Sequence, residues 1–190
     1  SLFTRLLRRT LSFSDKTFIS FSEEKAYVRD YLEMMKLRFG DYFRYEISGE
    51  ESIAPGTPFP CMLLQPILEN ATIHGLAPDG VSVIQLDFAK IDGQLECIIT
   101  DNGAGMLATA ERRRVSGSTH QSKGLEILQK KVETLNRRYG LGLTLDLHDL
   151  SDNNPPGRGT RAAIRFSPDK IPVRTPVSET AAGSTRRIHK

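Results

Sequence analysis

Leu2, Phe3, Leu6, Leu7 and Leu11 fall at helical spacing, with Arg5, Arg8 and Arg9 on the other side. This pattern predicts a short amphipathic helix whose apolar stripe needs a partner surface. Ser20-Phe21-Ser22-Glu23 has the spacing of a capping box, in which the Ser20 hydroxyl and the Glu23 carboxylate close free amides of the next helix. That helix runs to about Phe39, with Val28, Leu32, Met35 and Phe39 on one face and Gly40 as its stop. Tyr27, Tyr31, Met34 and Met35 read as core or interdomain packing.

The period then changes. Phe43–Ile47 alternates as a half-buried strand should, and Pro55 and Pro58 mark a loop. Phe59 to about His74 reads as a second helix, kinked or started late by Pro66. Val81–Lys90 and Leu95–Thr100 are strands joined across Asp92-Gly93, a tight-hairpin signal. Gly103 to Ser122 is polar and without period, so it reads as a long mobile loop. A third helix spans roughly Leu125–Arg138, Leu141, Leu143, Leu145 and Leu147 alternate as a strand, and Arg161–Phe166 makes the last strand. From Ser167 onward Pro, Ser, Thr and basic residues predict little regular structure, a disordered tail over 168–190. These elements predict an α+β fold, a two-layer α/β sandwich with a mixed sheet of about five strands and three helices on one face, preceded by a short helix.

Composition changes this picture only a little. The 190 residues carry a formal net charge of +3, and the stretch after Phe166 holds five basic and two acidic residues, so residues 1–166 are formally neutral. A nucleic-acid-binding face therefore loses its main support. Cys61 and Cys97 form no CxxC pair and fit core positions in a reducing compartment. No apolar run reaches the ~20 residues of a membrane span, so a cytoplasmic location is expected.

Four segments have reasons to meet a nucleotide. Glu69-Asn70-Ala-Thr-Ile-His74 puts a neutral carbonyl oxygen on a helix, a ligand type that suits Mg²⁺, with Glu69 and His74 flanking it. Asp101-Asn102-Gly103-Ala104-Gly105-Met106 follows a strand, where a carboxylate can accept a hydrogen bond from the adenine amino group and select against guanine. Gln121-Ser122-Lys123-Gly124-Leu125 opens a helix, whose free amides and dipole attract phosphate. Gly157-Arg158-Gly159-Thr160 precedes the last strand and offers a hydroxyl. Taken singly, each also has a plain reading: a solvated Asn, a strand-end turn, an ordinary helix start, a bare Gly-Thr. The run Arg112-Arg113-Arg114 reads as solvated charge.

In their order and spacing these segments resemble the N box, the DxGxG box, the second glycine box and the closing Gly-Thr of the GHKL ATPase superfamily, which includes histidine kinases and DNA gyrase. Ser22–Phe39 followed by Pro60–Gly75 is similar to the LytS/YehU-like branch of sensor histidine kinases, whose pattern there is P..lLQPl.ENA..HG. The resemblance covers about residues 5–167. It implies a catalytic domain over 21–167 that binds ATP with Mg²⁺, preceded over 1–20 by the end of the dimerisation and phosphotransfer region. Asn70 would coordinate Mg²⁺, with Glu69 and His74 beside it. Asp101 would hold the adenine amino group, with Gly103, Gly105 and Met106 shaping the pocket. Residues 103–122 would be the ATP lid, Lys123, Gly124 and Leu125 would meet the phosphates, and Thr160 would back Asp101. A response regulator and a homodimer are the implied partners, within a membrane-anchored parent protein that keeps this domain in the cytoplasm.

Three positions depart from the family. Ile73 stands where Lys or Arg is usual, Ser122 where the second glycine box has its first Gly, and Ile127 where an Asn is usual. The family's acceptor histidine lies in a PHFLFN-like segment, and none of His74, His120, His148 and His189 has that context. The chain is thus expected to bind ATP without phosphorylating itself on histidine. Two alternatives remain at this point: a nucleotide-poor dimerising module, suggested by Ile73 and Ser122, and a serine kinase of the anti-sigma type on the same fold.

Overall fold

The computed structural model describes residues 1–74, 80–105, 123–152 and 157–172. In chain order the elements are α1 (Leu2–Phe13), β1 (Phe18–Ser20), α2 (Phe21–Phe39), β2 (Phe43–Ser48), β3 (Pro58–Pro60), α3 (Gln65–Glu69) running into a π turn (Asn70–His74), β4 (Ser82–Ile91), β5 (Gln94–Asp101), α4 (Lys123–Tyr139), β6 (Thr144–Asp149) and β7 (Thr160–Phe166).

Local chemistry sets most of these bounds. Both halves of the capping box form: Ser20 Oγ accepts from the Glu23 amide at 3.2 Å, and Glu23 Oε2 accepts from the Ser20 amide at 2.8 Å. Asp92 and Gly93 both take positive φ, +50° and +79°, the signature of the two-residue turn that joins β4 to β5.

The main sheet has the order β2-β4-β5-β7-β6, with β2 parallel to β4 and the other pairs antiparallel. Its strands alternate. Ile84, Leu86, Phe88, Leu95, Cys97, Ile99, Ile164 and Phe166 share one core with Val28 and Leu32 of α2, Ile67 and Leu68 of α3, and Leu128 and Leu135 of α4. The opposite face is polar, with Gln85 and Asp87 exposed and Arg165 paired to Glu96 and Asp146. One covered face and one wet face is the expected two-layer sandwich. Cys61 and Cys97 are free and buried, as core residues. Tyr27, Tyr31 and Met35 are buried as well.

The structure refines two expectations, the late start of the second helix and the stripe of α1, and corrects two others. The helix placed at Phe59–His74 starts only at Gln65, because Pro58–Pro60 pairs antiparallel with β1 and Met62 takes φ +52°. The last leucine-rich strand begins at Thr144 rather than Leu141, since Gly140 and Gly142 both take positive φ. There the Asn136 carboxamide takes the place of a strand partner, bonding the Leu143 amide and carbonyl at 2.7 Å each. The stripe of α1 divides: Leu6 turns inward with Phe13, while Phe3, Leu7 and Leu11 are exposed. α1 is tied to α2 through Arg5 and Arg9, which bond Asp30 at 3.0 and 3.1 Å. Finally, packing continues past Ser167, with a 3-10 turn at Pro168–Lys170 and Ile171 buried. The rest of the expected tail, and the loop from Met106 to Ser122, lie outside the described residues.

Candidate nucleotide site

The covered face of the sheet is apolar along its length and turns polar at one end, where Ser82, Asp101, Asp149 and Thr160 are all buried. Register explains the grouping. Asp101 pairs with Ile84 and continues the inward series Leu95, Cys97, Ile99, while Asp149 pairs with Thr160 and continues the series Leu145, Leu147. Two carboxylates therefore occupy what the alternation makes core positions.

Burial pushes the Asp101 carboxyl up to about 6, and the nearby Asp149 charge acts in the same direction. Hydrogen bonds from the Gly103 and Thr160 amides oppose that rise, the Gly103 amide donating to Oδ1 at 2.9 Å. Asn102 pins the strand end: its Oδ1 accepts from the Val83 amide at 2.7 Å and its Nδ2 donates to the Val81 carbonyl at 2.9 Å. Glycine is required twice here. Gly159 takes φ +104° with its Cα against the Asp101 backbone, and Gly105 takes φ +79° beside the Asp149 carboxylate, which a Cβ would meet at 2.8 Å.

A second cluster lies on α3 and α4. Asn70 caps α3 and opens the π turn, half-buried, and no described residue hydrogen-bonds its carboxamide. Glu69 accepts from Gln65 Nε2 at 2.6 Å. Gly124 lies in the first turn of α4, where a Cβ would touch Pro66 at 3.6 Å, so the start of α4 sits against the start of α3. Leu125 packs on the core. Ile73 and Ile127 point outward, 57% and 62% exposed. The backbones of His74 and Lys123 close the π turn and open α4. Met106 and Ser122 lie outside the described residues.

The structure thus brings Asp101, Gly103, Gly105 and Thr160 together, and separately brings Gly124 to α3. No side-chain hydrogen bond among the described residues links the two clusters. Asp149 escapes a motif search, although the alternation of Leu141 to Leu147 extends to it. Chemically, the first cluster offers a desolvated acceptor. The second offers a neutral oxygen and a helix N-terminus. Among the described residues no three His, Cys, Asp or Glu side chains converge into a metal cluster. One carboxamide oxygen fits a magnesium ion that brings its other ligands from phosphates and water.

The chain is 28% identical over 144 residues to the sensor histidine kinase YpdA of Escherichia coli, a match covering 74% of this chain and 24% of that protein. It is 24% identical over 143 residues to the sensor protein LytS of Oceanobacillus iheyensis, covering 75% and 22%. The chain is thus similar in sequence to sensor histidine kinases of the YpdA and LytS type. A family model described as histidine kinase matches residues 1–43. The histidine kinase domain of the Erythrobacter litoralis blue-light activated histidine kinase superposes with TM-score 0.57 at 17% identity, over 90% of this chain and 76% of that one. The chain therefore shares its fold with that histidine kinase domain. The match spans about a quarter of the relatives' length. No helix among its described residues is long and apolar enough to cross a membrane.

Proposed function

We propose that the chain is the ATP-binding catalytic unit of a two-component sensor histidine kinase. The carrying observation is Asp101, a carboxylate held at the polar end of the covered sheet face by two backbone amides, with Gly159 against its backbone and Gly105 beside the neighbouring Asp149. An acceptor of that kind suits the adenine amino group and opposes the guanine carbonyl. Gly103, Gly105 and Met106 line the base side in this reading, and Thr160 backs Asp101.

Asn70 holds Mg²⁺ on the phosphates, flanked by Glu69 and His74, while Lys123, Gly124 and Leu125 bring the α4 N-terminus to the anionic end. A magnesium ion held there would supply charge neutralisation on the phosphates. A histidine nitrogen from outside this sequence attacks the γ-phosphorus in line, the bond to the bridging oxygen breaks, and ADP leaves. The phosphoryl group then passes to an aspartate of a response regulator. The exposed Phe3, Leu7 and Leu11 of α1 support a homodimer in the longer protein. That protein is membrane-anchored in this reading, with the catalytic unit in the cytoplasm.

A second reading has one observation in its favour. Ile73 and Ile127 give the phosphate end no charge or amide, which suits a domain that binds nucleotide weakly and relays shape. Thermal melting decides between them. A hundredfold excess of Mg²⁺–ATP over its Kd should raise the melting temperature by roughly 5–10 °C, and GTP should leave it unchanged. Equal shifts with both nucleotides, or none with either, would overturn the first reading.

A further inference from the structure

The segment that carries Asn70 has little support of its own. α3 is five residues long, has no side-chain cap at Leu64, and follows Met62 at φ +52°. It leaves through a π turn rather than another α turn. A single helical turn does not hold its shape by propensity, and left-handed backbone at a non-glycine residue persists only where its surroundings enforce it.

α2 supplies what is missing, at both ends. Glu24 is 1% exposed, and its carboxylate accepts from the Met62 amide at 3.0 Å and the Leu64 amide at 3.2 Å. Leu64 is the N-cap residue and Met62 lies in the turn before it, so a carboxylate 40 residues away in sequence fixes the backbone that leads into the helix. Seven residues on, the Tyr31 hydroxyl lies 2.6 Å from Thr72 Oγ1, and Thr72 Oγ1 donates to the Leu68 carbonyl at 2.8 Å. A threonine hydroxyl has one proton, so with that proton on Leu68 it is Tyr31 that donates. Thr72 is two residues past Asn70, inside the π turn. From α4, Lys131 donates to the Cys61 carbonyl beside Glu24 and joins the same cluster. Burial raises the Glu24 carboxyl to about 7 and lowers the Lys131 ammonium.

We infer that Glu24 and Tyr31 are positioning residues for Asn70, clamping residues 62–72 from both ends so that the carboxamide oxygen stands where the magnesium ion of a bound nucleotide needs it. The inference rests on the reading of Asn70 as the magnesium-facing residue. α2 itself is anchored independently of the clamp by Val28 and Leu32, both 0% exposed. Tyr31→Phe keeps the ring and removes only the hydroxyl, so the core stays filled.

The test compares ATP affinity in Mg²⁺ with ATP affinity in EDTA, for the wild type, Tyr31→Phe and Glu24→Gln. The EDTA value reads the base and sugar contacts, and the ratio reads the magnesium end. Tyr31→Phe should cut the magnesium-dependent gain about fivefold or more while leaving the EDTA affinity within about twofold, the scale of one buried hydrogen bond. Glu24→Gln, which turns amide donors toward backbone donors, should do the same. If Glu24→Gln does not fold, Tyr31→Phe decides alone. A full magnesium gain retained in Tyr31→Phe, or equal losses in both conditions, overturns the inference. No magnesium gain in the wild type overturns the reading of Asn70 and the clamp with it.

Discussion

Asp101→Asn is expected to lose ATP binding by about a hundredfold and yet to melt higher than the wild type at pH 8. The two effects have one cause. Asp101 accepts from the Gly103 amide through Oδ1 and also from the Thr160 amide, so an Asn would keep its oxygen on one of them and set Nδ2 among the remaining donors, the ligand's amino group included. A donor would then face the adenine amino group, another donor. A missing charged hydrogen bond and a mispaired buried group together cost about 3 kcal/mol, which is about a hundredfold. Stability moves the other way. Burial lifts the carboxyl from its ordinary 3.8 to about 6, so the folded chain binds a proton more tightly than the unfolded one. The linked stabilisation is fully present below pH 3.8 and is lost as pH rises through about 6, on the order of 3 kcal/mol. Asn never ionises and escapes that loss. Urea denaturation of both proteins at pH 4 and pH 8 checks this: the Asn variant should gain stability relative to wild type between those values. ATP affinity of the wild type should fall below pH 6, as Asp101 gains a proton. A variant that is less stable at pH 8 would mean the carboxylate is not desolvated in the folded chain.

Gly159→Ala should be the most damaging small substitution near the site. Its Cβ would lie 1.8 Å from the Asp101 carbonyl oxygen and 2.9 Å from the Asn102 Cα, and φ is +104°. All of these neighbours are backbone, so no side chain can swing aside, and β7 must move away from the end of β5. About 3–5 kcal/mol of stability should go, together with ATP binding. Gly140→Ala is the internal comparison. It also has positive φ, +62°, but nothing lies within 4 Å of its Cβ, so it should cost only about 1 kcal/mol. Denaturant midpoints for the two variants separate crowding from backbone preference. Equal losses would show that the contact with Asp101 does not set the cost.

These two positions mark how far the sequence can be read. Local patterns carried the capping box at Ser20, the turn at Asp92-Gly93 and the alternation of β4 and β5, because each depends on residues only a few places apart. Asp101 was legible through its place after a strand and before two glycines. β3 was not: a three-residue strand with Pro at both ends has no period, and it exists because β1 pairs with it from 40 residues away. The late start of α3 was legible as one option at Pro66, and this pairing fixes it. Asp149 could have been found, as the next inward position after Leu145 and Leu147. Glu24 and Lys131 could not, since charged side chains on amphipathic helices read as solvated, and their partners are backbone groups distant in sequence. The roles given to Asn70, Lys123 and Gly124 are legible only through the family pattern.

Calorimetric titration of the wild-type chain with ATP in the presence of Mg²⁺, followed by GTP, is the most direct measurement. One site of micromolar affinity for ATP, about −6 to −8 kcal/mol, with no heat from GTP, is the expected result. A folded sample that gives no heat with ATP, or that binds GTP equally well, contradicts the assignment of Asp101 as the adenine acceptor.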